Sequence, residues 1–151
     1  MKNIFDASEV QSFIDRLQVL TPEAQPKWGK MNAPQVLAHL NVAYEMIFEP
    51  EKHPAPKGLG KLMLKWLVKP MVTSPKPYKE GMPTAPSFII ADARDFEQEK
   101  VRLIDFMHRT QQLGQTHFEG KESASFGKMS AGQWNIMLAK HLEHHFKQFG
   151  I

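Results

Sequence analysis

The chain has 151 residues, of which 42% are hydrophobic and 23% are charged, and it contains no cysteine. This length fits one domain over residues 1–151 with a core of its own, and the lack of cysteine excludes disulfides, thiolate metal sites and a cysteine nucleophile. The net charge of +3 is spread thinly, without the concentrated basic face of nucleic-acid-binding proteins, so we expect no nucleic-acid partner.

The N-terminal sequence MKNIFDASEV has no long apolar run with a cleavage site, so it does not resemble a secretion signal. No stretch of the chain reaches the roughly 18 uninterrupted apolar residues that a membrane-spanning helix needs. We therefore expect a cytoplasmic protein without a membrane span, which also agrees with the lack of cysteine.

Two helices are predicted in the first third of the chain. The first covers about residues 8–20, because Asp6 and Glu9 form a capping pair and apolar residues then recur at helical spacing. The second begins after Asn32 and ends before Pro50, with apolar residues along one side.

A short basic helix is predicted next, over about residues 59–69. One side carries lysines at every fourth position and the opposite side carries bulky apolar residues. The lysines are Lys57, Lys61, Lys65 and Lys69, and the apolar residues are Leu59, Leu62, Met63, Trp66 and Leu67. Three interpretations stay open: a solvated face on a helix that packs against the body or a second subunit, which we favour, a membrane-surface helix, or a nucleic-acid contact. Because the apolar side is large for a short exposed helix, we expect a homodimer.

The second half of the chain is predicted to be helical after a long loop. The loop covers residues 70–92, since its five prolines cannot lie inside a helix or a central strand. A helix follows over about 94–113, ended by Gly114, and the last helix begins after Ser130. The alternating run at 87–93 is too short and isolated to build a sheet. The sequence thus predicts an all-α bundle of four main helices with one extra short helix and a long proline-rich loop.

Two similar sequences, WGKMNAPQ at 28–35 and FGKMSAGQ at 126–133, lie about a hundred residues apart. Each has the pattern of a helix start, with Asn32 or Ser130 as the N-cap and a glutamine at the third helical position. The side chain of each cap can accept a backbone N–H while the glutamine reaches back, which predicts two capping boxes.

Three histidines follow these helix starts on one helical face. His39 lies four residues after the glutamine of the first sequence, and His141 and His145 lie eight and twelve residues after that of the second. Each step of four residues returns to within about 40° of the same face. The three imidazoles therefore converge if the two helices face each other, whereas His144 lies off this face.

Three histidine nitrogens without an obvious fourth ligand are typical of a metal site that keeps a position open for water or substrate. His141 and His145, one helical turn apart, could hold one cation, and His39 from a neighbouring helix would complete the site. Imidazole suits zinc, nickel, iron and copper alike. The plainer alternatives also stay open at this point: a hydrogen-bonded core histidine and a solvated histidine pair.

The ending KHLEHHFKQFG, the helical His39 in QVLAHL and the all-α outline resemble the DinB-like superfamily of metal-binding four-helix bundles. The resemblance is strongest over residues 28–48 and 126–150 and weak in the proline-rich middle. The second of these stretches is similar to an uncharacterised subfamily known only as a domain of unknown function.

This resemblance implies a set of metal ligands. In the superfamily, a histidine on the second helix and an H-x-x-x-H pair on the last helix bind a divalent metal, which corresponds here to His39, His141 and His145. A glutamine commonly stands three residues after the last ligand, and Gln148 has that position, so His144 is not a ligand. The two residues after the last ligand are Phe-Lys here and arginine-glycine in many members. Zinc, nickel or iron is the expected ion.

The resemblance also implies a class of activity. Characterised relatives include thiol-dependent transferases and isomerases, so a metal-dependent transferase or hydrolase that takes a low-molecular-weight thiol or another small molecule is the leading hypothesis. An open-sided metal could lower the pKa of a bound thiol or water and so generate a nucleophile. The alternative is a non-catalytic metal- or small-ligand-binding protein. The candidates for an auxiliary base are Glu45, Glu49 and His108, for each of which core or surface duty is the commoner role.

Overall fold

The structure, a computed structural model, describes residues 2–151 and is mostly helical, as the all-α prediction requires. Its helices are, in chain order, α1 (Ala7–Gln18), α2 (Ala33–Phe48), α3 (Gly58–Met63), a π-helical turn (Leu64–Val68), α4 (Lys69–Val72), α5 (Phe96–Phe118) and α6 (Ala131–Phe149). Short 3-10 turns lie at Pro50–Lys52 and Pro86–Phe88, and the strands β1 (Glu122–Ser123) and β2 (Gly127–Lys128) form an antiparallel hairpin. No helix among the described residues could cross a membrane.

Apolar residues at helical spacing hold the four long helices α1, α2, α5 and α6 together. The α1 helix buries one stripe, whereas α2 is buried on most of its surface and forms the centre of the packing. Each fully buried large apolar side chain, such as a leucine or phenylalanine, stabilises the fold by about 1.5–3 kcal/mol relative to an exposed one. The largest fully buried side chains are Tyr44, Phe13, Phe118, Phe146, Leu17, Leu37, Leu40, Leu103, Met107, Met129, Leu138 and Leu142.

Side-chain caps fix where the helices begin. Asn32 Oδ1 accepts the N–H of Gln35 at 2.9 Å, and Gln35 Oε1 accepts the N–H of Asn32 at 3.1 Å. Ser130 and Gln133 make the same exchange at 3.2 and 3.0 Å. Both predicted capping boxes are therefore confirmed, and Asp6 caps α1 by accepting one backbone N–H.

The basic helix differs from its prediction at Pro70. Helical structure continues through this proline and covers residues 58–72. The N–H of Lys69 donates to the carbonyl of Leu64, five residues back instead of four. In an α-helical register the proline ring would clash with the carbonyl of Trp66, and the wider π turn accommodates it. The predicted start of the loop at residue 70 is wrong for this reason.

Two further differences concern short elements. The β1–β2 hairpin was not predicted, because strands of two residues show no alternation that a sequence pattern could reveal. The α5 helix continues past its predicted end to Phe118, but Gly114 has a φ of 72° and breaks the helical path there. The predicted end at Gly114 therefore corresponds to a break with non-helical backbone, beyond which only a short helical stretch continues α5 to Phe118.

The proline-rich segment between α4 and α5 lies across α6. Lys140 Nζ donates to the carbonyl of Met71, in α4, at 2.7 Å and to that of Ser74, at the start of the segment, at 2.6 Å. Farther along, the Tyr78 ring packs edge-on against His144, with their centroids 5.6 Å apart. This path brings the 3-10 turn at Pro86–Phe88 over the point where α2 meets α6.

Candidate metal centre

The three histidines predicted to converge lie together between α2 and α6. One ring nitrogen of each of His39, His141 and His145 can be chosen so that all three atoms lie within 4.8 Å of one another. The Nε2 atoms of His39 and His141 are 2.9 Å apart, and the rings of His141 and His145 have centroids 5.0 Å apart. Within residues 2–151 no other cluster of histidine, aspartate or glutamate has this geometry.

His144 lies outside this group. Its ring packs between those of Trp28 and Tyr78, at centroid distances of 5.7 and 5.6 Å. Three residues after His141, the helix has turned the side chain about 60° away from the face that carries the other histidines. The structure therefore places His144 beside the cluster, as the helical phase predicted.

Hydrogen bonds fix the ring orientation and the tautomer of two histidines. His39 Nδ1 is 2.8 Å from the carbonyl oxygen of Phe88, and because a carbonyl can only accept, this nitrogen carries the proton. The other nitrogen of His39 then offers a lone pair toward His141. His145 Nδ1 likewise donates to Gln148 Oε1 at 2.7 Å, which leaves its Nε2 as the free nitrogen. Such partners are typical of metal-binding histidines.

Gln148 is itself held by the first of the two repeated sequences. Its side-chain Nε2 donates to the backbone carbonyl of Trp28 at 2.6 Å, and its backbone carbonyl accepts the N–H of Lys27 at 2.7 Å. Gly29 has a φ of 85°, and a Cβ atom built there would lie 2.7 Å from Gln148 Nε2. The loop before α2 therefore supports His145 on α6, and the close approach requires glycine.

Burial keeps the three imidazoles neutral. His39 and His145 are only 3% and 7% exposed, and His141 is partly buried. Burial lowers the pKa of His39, and it lowers the pKa of His145 to about 3. The pKa of His141 falls well below its ordinary value through burial and then through its two histidine neighbours. Neutral imidazole is the form that binds metal, so no proton has to leave before ligation at neutral pH.

Phe88 covers one side of the cluster. Its ring centroid is 5.4 Å from that of His39 and 5.9 Å from that of His141, and its backbone carbonyl holds His39. The sequence does not predict the role of this residue, because a contact made by a loop carbonyl leaves no side-chain signal. Gln148 is predictable only through the family resemblance, although its spacing of three residues from His145 already places the two on one helical face.

A groove of about 790 Å³ lies beside the centre, and Trp28 and His144 form part of its walls. Its walls combine aromatic rings with charged side chains. They include Trp28, Tyr78, His144, Lys27, Lys140 and Lys147. Burial raises the pKa of Tyr78 to about 12 and lowers that of Lys140 to about 8.

The candidates for an auxiliary base are engaged elsewhere or exposed. The Glu45 carboxylate lies between Arg102 and His53; burial alone would raise its pKa, but these hydrogen bonds and charges lower it. Glu49 forms a salt bridge with a neighbouring lysine, and His108 is exposed on α5. None of the three makes a hydrogen bond to the histidine cluster within the described chain.

Comparison with known proteins gives one match. The sequence profile of a family described as "Protein of unknown function (DUF1569)" matches residues 3–150. No curated protein and no solved structure matches the chain. Because the profile spans nearly the whole sequence, this chain belongs to the DUF1569 family.

Proposed function

We propose that this chain is a single DinB-like domain over residues 1–151 that binds a divalent metal ion, zinc, nickel or iron, at His39, His141 and His145. We propose further that it acts as a metal-dependent transferase or hydrolase, with a low-molecular-weight thiol or water as the nucleophile. One observation carries the proposal: three ring nitrogens of neutral histidines lie within 4.8 Å of one another. In two of these rings, those of His39 and His145, the Nδ1 proton is donated to a partner outside the cluster.

The donor set fits such an ion. Two nitrogens bound to one tetrahedral zinc at about 2.0–2.1 Å lie about 3.3 Å apart, so the 2.9 Å between His39 Nε2 and His141 Nε2 needs little adjustment. Three nitrogen ligands without thiolate are typical of centres that keep a position for a reacting molecule, whereas closed structural sites are often rich in cysteine.

The chain's own residues supply the surroundings for a reaction. A bound divalent ion would lower the pKa of a thiol or water molecule and make it a nucleophile near neutral pH. Phe88 shields the cluster from solvent on one side. The neighbouring groove is lined by His144 but by none of the three cluster histidines. It offers the rings of Trp28 and Tyr78 for an apolar part of a substrate, and both lysine and glutamate side chains for a polar part.

The alternative is a non-catalytic metal- or small-ligand-binding protein. It is favoured by the positions of Glu45, Glu49 and His108, since none of these candidate bases contacts the histidine cluster through a hydrogen bond. A metal that supplies the nucleophile directly does not require such a base, so this observation leaves the enzyme as the leading proposal.

The ligand set can be tested by elemental analysis of protein purified without a histidine tag. We expect close to one equivalent of metal per chain, and single alanine variants of His39, His141 and His145 should each lose most of it. His144→Ala is the matched control, because this histidine is on the same helix and should leave the metal content nearly unchanged. Loss of metal in His144→Ala with retention in His145→Ala would show that the register is wrong.

Activity is tested separately by comparing metal-free and reloaded protein. We expect turnover of a thiol with an electrophile, or of an activated ester with water, only after reloading, and no turnover by His39→Ala under the same conditions. A protein that binds one metal but accelerates neither reaction would favour the non-catalytic alternative. A protein that binds no metal would refute the enzyme proposal and leave only the small-ligand form of the alternative.

A further inference from the structure

The segment over residues 58–72, made of α3, the π turn and α4, leaves its apolar side chains in solvent. None of its residues is buried. Five large apolar side chains have exposed fractions between 52% and 82%, and we call them the apolar arc. They are Leu59 (82%), Leu62 (52%), Met63 (55%), Trp66 (69%) and Leu67 (69%). Exposed apolar groups in a contiguous row mark a surface that meets a partner.

The apolar arc occupies one side of the helix. Even with the smaller rotation per residue of the π turn, its five members fall within about 140° of one another around the axis. Leu64 and Val68 lie on the opposite side and are partly buried, so the arc faces away from the body. Lys69 holds the segment in place, because its Nζ donates to the carbonyls of Phe126 and Lys128 at 3.2 and 2.6 Å.

Positive charge is concentrated in the same part of the chain. Residues 52–79 contain seven lysines and no acidic residue, whereas the rest of the chain has 12 basic and 16 acidic residues. The thin spread of charge expected from the composition is therefore wrong, since a net +7 here is set against −4 elsewhere. Lys57, Lys61 and Lys65 are exposed and form no salt bridge with any of residues 2–151.

We propose that segment 58–72 is a membrane-surface helix, which lies in the headgroup layer of a bilayer that contains anionic phospholipids. An apolar face with a tryptophan, opposite a polar face rich in lysine, is the pattern of helices that lie in this interface. The ring of Trp66 suits the headgroup level, where tryptophan is enriched, and each lysine near an anionic surface strengthens binding about fivefold. This inference does not depend on the metal centre.

A second copy of the chain, the homodimer expected from the sequence, is the competing occupant of the apolar arc. Charge argues against it. The lysines lie on the side of each helix opposite the apolar arc, but two copies joined through the arc would still place two regions of net charge +7 side by side, with no acidic residue between positions 52 and 79 to compensate them. A bilayer with anionic lipids complements both parts of the segment, because its acyl boundary takes up the apolar arc and its headgroups attract the lysines.

The test is co-sedimentation of the full chain with vesicles of phosphatidylcholine alone or with one third phosphatidylglycerol. We expect at least tenfold tighter binding to the anionic vesicles, and loss of most of this binding in 0.5 M salt, where surface charges are screened. Trp66→Glu should reduce the binding at least tenfold. Val101→Glu is the matched control, since Val101 is an apolar residue on α5 with 55% exposure and should leave the binding unchanged.

A double variant, Lys61→Glu with Lys65→Glu, separates the electrostatic part, because it keeps the apolar arc and should still lose at least tenfold on anionic vesicles. Absence of binding to anionic vesicles at low salt would overturn the proposal, as would equal losses in Trp66→Glu and Val101→Glu. Sedimentation velocity tests whether a second copy of the chain occupies the apolar arc instead. A dimer that Trp66→Glu converts to monomer, together with no vesicle binding, would assign the apolar arc to a second copy.

Discussion

At the scale of single residues, Gln148 connects two parts of the chain that are far apart in sequence. Its oxygen accepts the Nδ1 proton of His145, and its nitrogen donates to the carbonyl of Trp28. In the second repeated sequence the equivalent carbonyl, that of Phe126, accepts from Lys69 instead. The two similar sequences therefore share a cap and a turn but support different structures, the histidine cluster and the basic segment.

The repeat supplies a matched pair of substitutions. Gly29 and Gly127 have φ values of 85° and 68°, so alanine should cost roughly 1–2 kcal/mol of stability at either position. Only at position 29 does the new Cβ meet Gln148 Nε2, at 2.7 Å, whereas nothing lies within 4 Å at position 127. Gly29→Ala should therefore displace the amide that orients His145 and weaken zinc affinity about tenfold or more, the effect expected of groups that hold a ligand.

The measurement is a zinc titration against a competing chelator for Gly29→Ala and Gly127→Ala. We expect Gly29→Ala to lose at least as much stability as Gly127→Ala and to bind zinc more weakly, because only the first displaces Gln148. Equal affinities in the two variants would mean that Gln148 does not position His145.

At the scale of elements, the beginning of α6 matters for the site, because this helix carries two of the three histidines. Ser130→Ala removes the oxygen that accepts the N–H of Gln133 and should lower the free energy of unfolding by about 1 kcal/mol. A slight loss of zinc affinity should accompany it, since the cap fixes the start of the helix. Urea unfolding compares it with Ser125→Ala, a serine outside the helix that should change stability by less than about 0.5 kcal/mol. Equal stabilities would show that the cap contributes nothing.

The elements that the sequence predicted correctly are those with local signals. The capping boxes at Asn32 and Ser130 and the in-phase histidines depend on residues within a few turns of one helix, where spacing translates directly into position. The π turn before Pro70 was missed because a proline normally ends a helix, and only a register change hidden from the sequence lets it continue. The position of Phe88 over the histidines was missed because a long loop has no period that predicts its path.

At the scale of the whole molecule, the candidate centre and the basic segment are linked through α6. Lys140, directly before His141, donates to the carbonyls of Met71 and Ser74 on either side of the end of α4. The same helix thus holds two histidines of the cluster and anchors the point where the basic segment passes into the proline-rich segment. A change in the position of α6 would be transmitted to both.

The buried histidines also make the stability of the metal-free protein depend on pH. In the unfolded chain these side chains titrate near 6.5, whereas burial lowers the pKa of His39 and His141 in the folded protein and lowers that of His145 to about 3. Between these values the unfolded chain binds more protons than the folded one, so the free energy of unfolding falls as the pH drops below about 6.5. Each histidine contributes a slope of up to about 1.4 kcal/mol per pH unit.

Urea unfolding of the metal-free protein at pH 7.5 and 5.0 measures this dependence. We expect a clear loss of stability at the lower pH, and a smaller loss in His145→Gln, which cannot take up a proton. His108→Gln is the control, because this exposed histidine on α5 should leave the difference between the two pH values unchanged. Equal stability of the original chain at both pH values would contradict the burial of neutral imidazoles, and so would an unaltered difference in His145→Gln. Zinc should add stability at pH 7.5, and most of this gain should persist at pH 5.0, because burial lowers the pKa of all three histidines in the folded protein and so limits competition by protons.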